Sequence, residues 1–148
     1  MKNILTIGLL SAFVMGCSTV PTMSLNDRDV AFSQFVINEN LASVDKITSF
    51  KFTKWKSLSD SYLIVTAAHK RDYLINTRDK CYDLNNARSI QLNLISDSTI
   101  NIESDSISTS GVQRCFIESI YPISNEQSSY LANIGKSNSS VSDSQNSE

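Results

Sequence analysis

The chain has 148 residues, with 13 Lys plus Arg against 15 Asp plus Glu and a formal net charge of −2. This length predicts one domain after processing. The near balance of charge argues against nucleic-acid binding through a strongly basic surface. Four lysines do fall close together, and their run is typical of a solvated strand face: Lys46, Lys51, Lys54 and Lys56. No nucleic-acid partner is therefore expected.

An apolar run from Ile4 to Val14 follows the positively charged Lys2, which is the pattern of a secretory signal peptide. The run is shorter than the roughly 20 apolar residues that a transmembrane helix needs. No charged stop-transfer flank follows it, since residues 18–25 carry no charge. The pattern therefore favours export over a membrane span.

The stretch Val14-Met15-Gly16-Cys17 resembles the lipobox of bacterial lipoproteins. The resemblance implies cleavage after Gly16 and acyl chains on Cys17, which would hold the protein on a membrane because two or more chains anchor stably. Ser18, where an Asp would signal retention at the inner membrane, implies an outer-membrane lipoprotein that faces the periplasm. The alternative is an ordinary cleaved signal peptide with no lipid on Cys17.

The composition and residue pattern along the chain predict four segments. They are a lipoprotein signal peptide (1–16), a lipidated tether (17–23), one β-rich domain (24–136) and a disordered tail (137–148). Loss of residues 1–16 would remove Lys2 and leave 12 Lys plus Arg against 15 Asp plus Glu, a formal charge of −3. The tail has six serines in its 12 residues and one aliphatic side chain, too little apolar surface to order itself.

Ser24 begins a helical pattern that runs to about Asn38, with Ser24 as N-cap, Asp27 three residues on and Phe32 on the apolar face. The residues that follow this helix have mostly the pattern of short strands. The segments that alternate or run apolar are KITSFKFTKW, SYLIVTAA, RDYLINT, SIQLNLIS, STINIES and RCFIESIYPI. SYLIVTAA and RDYLINT predict a hairpin, and STINIES is expected to follow SIQLNLIS across a turn at residues 96–98.

The predicted fold class is α+β and mainly β, a small antiparallel sheet curled into a barrel or half-barrel. The helix at Ser24 precedes the sheet, and a short helix between Ser124 and Ile134 closes the domain. The segment from Tyr82 to Ala87 has no clear helix or strand pattern, which leaves closure of the barrel open.

Two cysteines, Cys81 and Cys115, remain once Cys17 is acylated. An oxidising compartment then predicts a single disulfide between them, because neither has the CxxC spacing or the nearby histidine of a redox or metal site. We expect Cys81 to end the second hairpin strand and Cys115 to lie in the last strand, so that the bond ties the middle of the sheet to its edge.

Residues 28–124 resemble an uncharacterised family of small proteobacterial periplasmic lipoproteins with a domain of unknown function. The matching pattern is Trp55-x-x-Leu58, Tyr73-Leu74, Cys81-x-x-Leu84, Ile90-x-Leu92, Asp105-x-Ile107 and Cys115-x-Ile117-x-x-Ile120-x-Pro122. The resemblance implies a periplasmic β-rich domain with one disulfide, and no activity. Ser104 departs from the pattern, where an aromatic residue is commoner.

No catalytic, cofactor-binding or metal-binding residue is predicted. The lone His69 falls in the AHK turn and reads as exposed, and no GxSxG, HExxH, P-loop or dinucleotide motif occurs. Glu103 and Asp105 lie two residues apart on an expected strand, and hence on the same face of it. Paired carboxylates of this kind can catalyse hydrolysis, but such a pair is more often a solvated edge of a sheet.

The aromatic residues Trp55 and Tyr82 lie near strand ends and are the candidates for a ligand groove. The favoured function is a non-enzymatic binding or accessory module, anchored by its lipid and contacting an envelope protein or a cell-wall component. The alternative is a small inhibitor of a periplasmic or host hydrolase, with the loop from Asp79 to Arg88 as the inserting element. A carboxylate-based hydrolase is the third hypothesis.

Overall fold

A computed structural model of the protein describes residues 22–109 and 113–136. It is mainly β, with a six-stranded curled half-barrel sheet, a second sheet of two strands and two helices. The helices are α1 (Leu25–Asn38) and α2 (Asn125–Leu131), and the strands are β1 (Lys46–Thr48), β2 (Phe52–Ser57), β3 (Tyr62–Ala67), β4 (Arg71–Thr77), β5 (Ile90–Asn93), β6 (Thr99–Asn101), β7 (Ser106–Thr109) and β8 (Gln113–Ile123). The predicted fold class is confirmed.

The large sheet has the strand order β2-β3-β4-β8-β7-β5, with every neighbouring pair antiparallel. The predicted hairpin is formed by β3 and β4, with Val65 opposite Tyr73. Its turn is a 3-10 segment at Ala68–Lys70, in which His69 is exposed and has a positive φ of 63°. The register of β2 against β3 shifts between Phe52 and Lys54, just before Trp55.

Both faces of the large sheet are covered, which explains why β3 is buried at every position instead of alternating between buried and exposed residues. Leu63, Val65 and Ile75 belong to the larger core, on the side of the two-stranded sheet. Ile64 and Leu74 belong to a smaller core on the opposite side, which the two helices cover. Because successive side chains of a strand point to opposite faces, one continuous apolar run supplies both cores.

The two helices begin where their capping residues predict. The Ser24 hydroxyl accepts a 3.2 Å hydrogen bond from the Asp27 backbone N–H, and Phe32 is the buried residue of α1. Helix α2 starts with a capping box, in which the Ser124 hydroxyl accepts from the Gln127 N–H and the Gln127 side chain accepts from the Ser124 N–H. The predicted closing helix is thus confirmed, although it is short.

The turn expected between the SIQLNLIS and STINIES segments is present, but the two strands that it joins do not pair with each other. Strand β5 pairs with β7, whereas β6 pairs with β1 and places Ile100 opposite Ile47. The turn between β5 and β6 closes only one bridge, from Ser96 to Thr99. The Phe50 N–H donates to the Ser98 carbonyl at 2.8 Å, so the start of β6 is held by the segment after β1.

The expected position of the disulfide in the sheet is also corrected. Strand β4 ends at Thr77, so Cys81 lies in the loop after it, and β8 lies between β4 and β7 instead of at an edge. Strand β8 also continues through Pro122. Pairing of β8 with β7 ends at Phe116, so the missing N–H of Pro122 removes no bond from that side of the ladder.

Several predictions lie outside the described residues. These are the signal peptide (1–16), the acylated Cys17 and the disordered tail (137–148). A search of the described part of the chain for helices long and apolar enough to span a membrane found none.

Candidate functional site

The face of the sheet that carries the helices has a cleft of about 370 Å³ between β2 and α2. We call it the lysine cleft, because two of the residues that line it are lysines. Its lining residues are Lys54, Trp55, Lys56, Ile64, Thr66, Ser128, Ser129, Ala132 and Asn133. None of these described lining residues is Asp or Glu.

Strand register brings the two lysines to the same face. Lys54 lies opposite Thr66 and Lys56 lies opposite Ile64, a residue of the core beneath the helices. Trp55, between them, packs partly against the larger core on the other face. The period of two along β2 therefore directs both lysine side chains toward α2.

A third lysine, Lys136, lies beside Lys56 in the turn after α2. The Lys136 N–H donates to the Asn133 carbonyl at 3.2 Å, which keeps this turn against the end of the helix. Burial lowers the pKa of Lys56 below its usual 10.5, and the adjacent ammonium groups of Lys136 and Lys54 lower this pKa further. The causes of this lowered pKa are burial and neighbouring lysines, so Lys54, Lys56 and Lys136 form a local cluster of positive charge.

Internal hydrogen bonds hold the polar wall of the cleft in place. The Thr66 hydroxyl donates to the buried Asp72 carboxylate at 2.6 Å, and the Ser129 hydroxyl donates to the Asn125 carbonyl at 2.9 Å. The Asn133 amide donates to the Ser129 carbonyl at 3.0 Å. The wall is thus formed before any ligand arrives, which reduces the entropic cost of binding.

The lysine cleft lies close to the point where the domain begins. Gly135 has a φ of +73°, and a Cβ built on it would lie 3.0 Å from the Cβ of Met23 and 2.8 Å from Nε of Arg28. The turn that ends in Lys136 therefore packs directly against the start of α1. Residue 23 is the last residue of the predicted tether, so the tether enters the domain beside this lysine.

A second cleft, of about 670 Å³, runs between α1 and α2. The rings of Phe35 and Tyr130 stack there with centroids 5.4 Å apart, and Tyr130 is 60% exposed. The Gln127 amide donates to a Glu39 carboxylate oxygen at 3.1 Å across the same groove. This second cleft is acidic and apolar, in contrast to the lysine cleft.

The two aromatic residues predicted for a ligand groove are not brought together in either of these clefts. Trp55 borders the lysine cleft along its strand, while its ring packs partly against the larger core. Tyr82 is 67% exposed in the loop after β4, between Cys81 and Asp83, which has a positive φ of 71°. In the same loop Leu84 is fully buried, so the loop is attached to the core on both sides of Tyr82.

The carboxylates considered for hydrolysis have different environments. Glu103 is exposed in the turn after β6, whereas Asp105 is 1% exposed and accepts hydrogen bonds from backbone N–H groups. Asp105 therefore acts as a structural acceptor for the loop. The described residues contain no group of three or more His, Cys, Asp or Glu side chains that could hold a metal ion.

The disulfide between Cys81 and Cys115 is present, with Cα atoms 5.6 Å apart and a sequence separation of 34. Both cysteines are buried in the larger core. The bond fastens the loop after β4 to β8, and the Cys81 N–H also donates to the Asp60 carbonyl at 2.8 Å.

The lysine cleft differs from the prediction, in which the run of lysines from Lys46 to Lys56 forms a solvated strand face. The signal was the spacing of Lys54 and Lys56, which puts both on one face of a strand. Their convergence with Lys136, 80 positions later, required the packing of α2 on the sheet and could not be read from spacing.

Comparisons of the chain with the curated proteins and with the solved structures found no match. A comparison with family models did find one. The model of a family of unknown function, DUF6491, matches residues 1–134, which is most of the chain, and the protein belongs to this family.

Proposed function

We propose that the protein is a lipoprotein of the bacterial outer membrane, anchored through Cys17, and that it acts as a non-enzymatic binding module of the cell envelope. The observation that carries the proposal is the apolar run that ends in Val14-Met15-Gly16-Cys17. The family match supports it, because the matched region contains this run together with the folded domain.

The short tether gives the anchor a structural consequence. Residues 17–23 can extend at most about 25 Å, so an acylated Cys17 keeps the start of α1 near the membrane surface. Met23 lines the cleft between α1 and α2. The turn that ends in Lys136, beside the lysine cleft, packs against Met23. The helical face is therefore the surface through which an anchored domain would meet its envelope partner.

Metabolic labelling with an alkyne fatty acid in a Gram-negative host tests the anchor. The full chain should take up label and fractionate with outer membranes, and its mature N-terminal peptide should carry the mass of an acylated Cys17. A Cys17→Ala chain is the matched control and should take up none. Equal labelling of the two chains, or an unlabelled native chain, contradicts the proposal.

Crosslinking in intact cells tests the binding role. The acylated chain should yield a crosslinked envelope protein or glycan whose attachment sites map to the helical face. A Phe35→Ser, Tyr130→Ser chain, altered in two partly exposed rings of that face, should lose the crosslink. Crosslinks confined to the opposite side of the sheet argue against the helical face as the binding surface.

A second candidate function, inhibition of a periplasmic or host hydrolase, is favoured by the exposure of Tyr82. Its side chain projects from a loop that the disulfide of Cys81 and the buried Leu84 hold in place. A rigid loop with one exposed aromatic side chain suits insertion into an enzyme's active site, since little order is lost on binding. Tyr82→Ala should abolish inhibition of a target hydrolase and leave the fold unchanged.

A further inference from the structure

Lys54 and Lys56 line the lysine cleft, Lys136 lies beside Lys56, and none of the described residues that line the cleft is Asp or Glu, in a protein whose net charge is −2. Like charges so close repel one another, and the arrangement is relieved when a multiply charged anion binds between them. We infer that the lysine cleft is a phosphate-binding site, with Lys54, Lys56 and Lys136 as its cationic ligands. The inference names the ligand class of the proposed binding module and rests on that proposed function.

A phosphate monoester fits the number and type of donors better than a carboxylate does. It carries a charge of about −1.5 to −2 near neutral pH and three strong acceptor oxygens, one for each ammonium group. Lysine binds phosphate as a compact point charge on a flexible stem, which suits an open cleft. The hydroxyl of Ser128 adds a neutral donor to the same wall.

The C-terminal end of α2 does not account for the lysines. A helix carries about half a negative charge at this end, and α2 has only seven residues. Three ammonium groups exceed what this partial charge can neutralise. Lys54 and Lys56 are also supplied by a strand of the sheet and not by the helix.

The phosphate has two plausible sources, and the position of the cleft is relevant to both. Lys136 follows Gly135, whose backbone packs against Met23 at the end of the tether. An acylated Cys17 would therefore hold the lysines close to lipid headgroups, where each Lys near an anionic surface contributes about 1 kcal/mol of attraction. The other source is a soluble phosphorylated ligand in the periplasm.

Lysine footprinting on the full chain tests the site. Brief acetylation followed by mass spectrometry measures how fast each lysine side chain reacts. Lys46, Lys51 and Lys80 serve as exposed internal controls. In neutral detergent, saturating inorganic pyrophosphate should slow acetylation of Lys54, Lys56 and Lys136 by about tenfold and leave the controls unchanged. Acetate at equal ionic strength should not protect them.

A vesicle experiment with the same readout distinguishes the two sources. The full chain is reconstituted in phosphatidylcholine alone or in an equimolar mixture with phosphatidic acid. Protection of the three lysines by phosphatidic acid identifies a lipid headgroup, and protection by pyrophosphate alone identifies a soluble ligand. Both results support a phosphate site.

A matched pair of variants separates the site from general charge. Lys56→Gln should weaken pyrophosphate binding about fivefold, measured by protection of Lys136, whereas Lys46→Gln should leave it unchanged. The inference is overturned by absence of protection in both arms, by equal protection of the control lysines or by an equal loss in Lys46→Gln. The detergent arm does not require acylation, so a failed anchor and a failed phosphate site give different results.

Discussion

The buried carboxylate of Asp105 accepts a 2.8 Å hydrogen bond from the backbone N–H of Asn101 at the end of β6. Its other oxygen accepts from the N–H of Ile95 at 3.0 Å and from the Ser104 hydroxyl at 3.2 Å. One side chain thereby joins the segment after β5, the end of β6 and the start of β7. These strands belong to two different sheets, so Asp105 fixes how the sheets are connected.

Replacement of Asp105 by Ala should destabilise the protein by about 2–4 kcal/mol, because it leaves buried N–H donors without an acceptor. Urea denaturation of the purified chain measures this loss. Asp97→Ala, an exposed carboxylate in the preceding turn, is the matched control and should have little effect. Equal stability of the two variants would contradict the structural role of Asp105.

Loss of the disulfide should lower stability by about 3–4 kcal/mol, because its removal frees a closed loop in the unfolded chain. The test is thermal unfolding of a Cys81→Ser, Cys115→Ser chain beside the native chain under oxidising conditions. Addition of a reductant should bring the native chain to the melting temperature of the variant and leave the variant unchanged. An unchanged melting temperature in the variant would show that the bond contributes nothing.

Substitution of Gly135 by Ala should cost about 1–2 kcal/mol, since a side chain at its positive φ is strained. The new Cβ would also lie 2.8 Å from Nε of Arg28, so the arginine must shift. A double-mutant cycle with Arg28→Ala isolates the conflict with the arginine, because that conflict disappears in this background, whereas the backbone strain and the 3.0 Å approach to the Cβ of Met23 remain. Identical costs in both backgrounds would show that Arg28 is not involved.

Stability should fall at alkaline pH because of Tyr62. Burial raises the pKa of Tyr62 above its usual 10.0, although a hydrogen bond with Ser33 opposes this shift. The nearby Asp29 and Glu118 act in the same direction as burial. The unfolded chain therefore loses this proton first, the native state binds more protons, and the free energy of unfolding decreases as the pH rises above about 10.

Urea denaturation between about pH 8 and pH 11 measures this dependence in the native chain and in Tyr62→Phe. Lys56 acts in the opposite sense, since its lowered pKa makes stability rise with pH below 10.5. Both chains retain Lys56, so the difference between their slopes isolates Tyr62. Parallel slopes would mean that Tyr62 does not resist ionisation in the native state.

The sequence alone determined the features that depend on near neighbours along the chain. Ser24 and Ser124 specify the starts of the two helices, because their hydroxyls satisfy N–H groups only three residues away. The β3–β4 hairpin follows from two strand-forming runs separated by a three-residue turn. The Cys81–Cys115 pair followed from the cysteine count and from the expectation of an oxidising compartment.

Only the tertiary structure decided the relationships between distant segments. Spacing cannot tell whether β6 pairs with β5 or with β1, because the alternation of Ile100 and Ile102 satisfies either neighbour. Spacing also cannot bring Lys136 to Lys54 and Lys56, since that contact depends on α2 packing across the sheet. Local hydrogen bonds and periodicity act over a few residues, whereas strand partners and shared clefts depend on which buried surfaces meet in the folded chain.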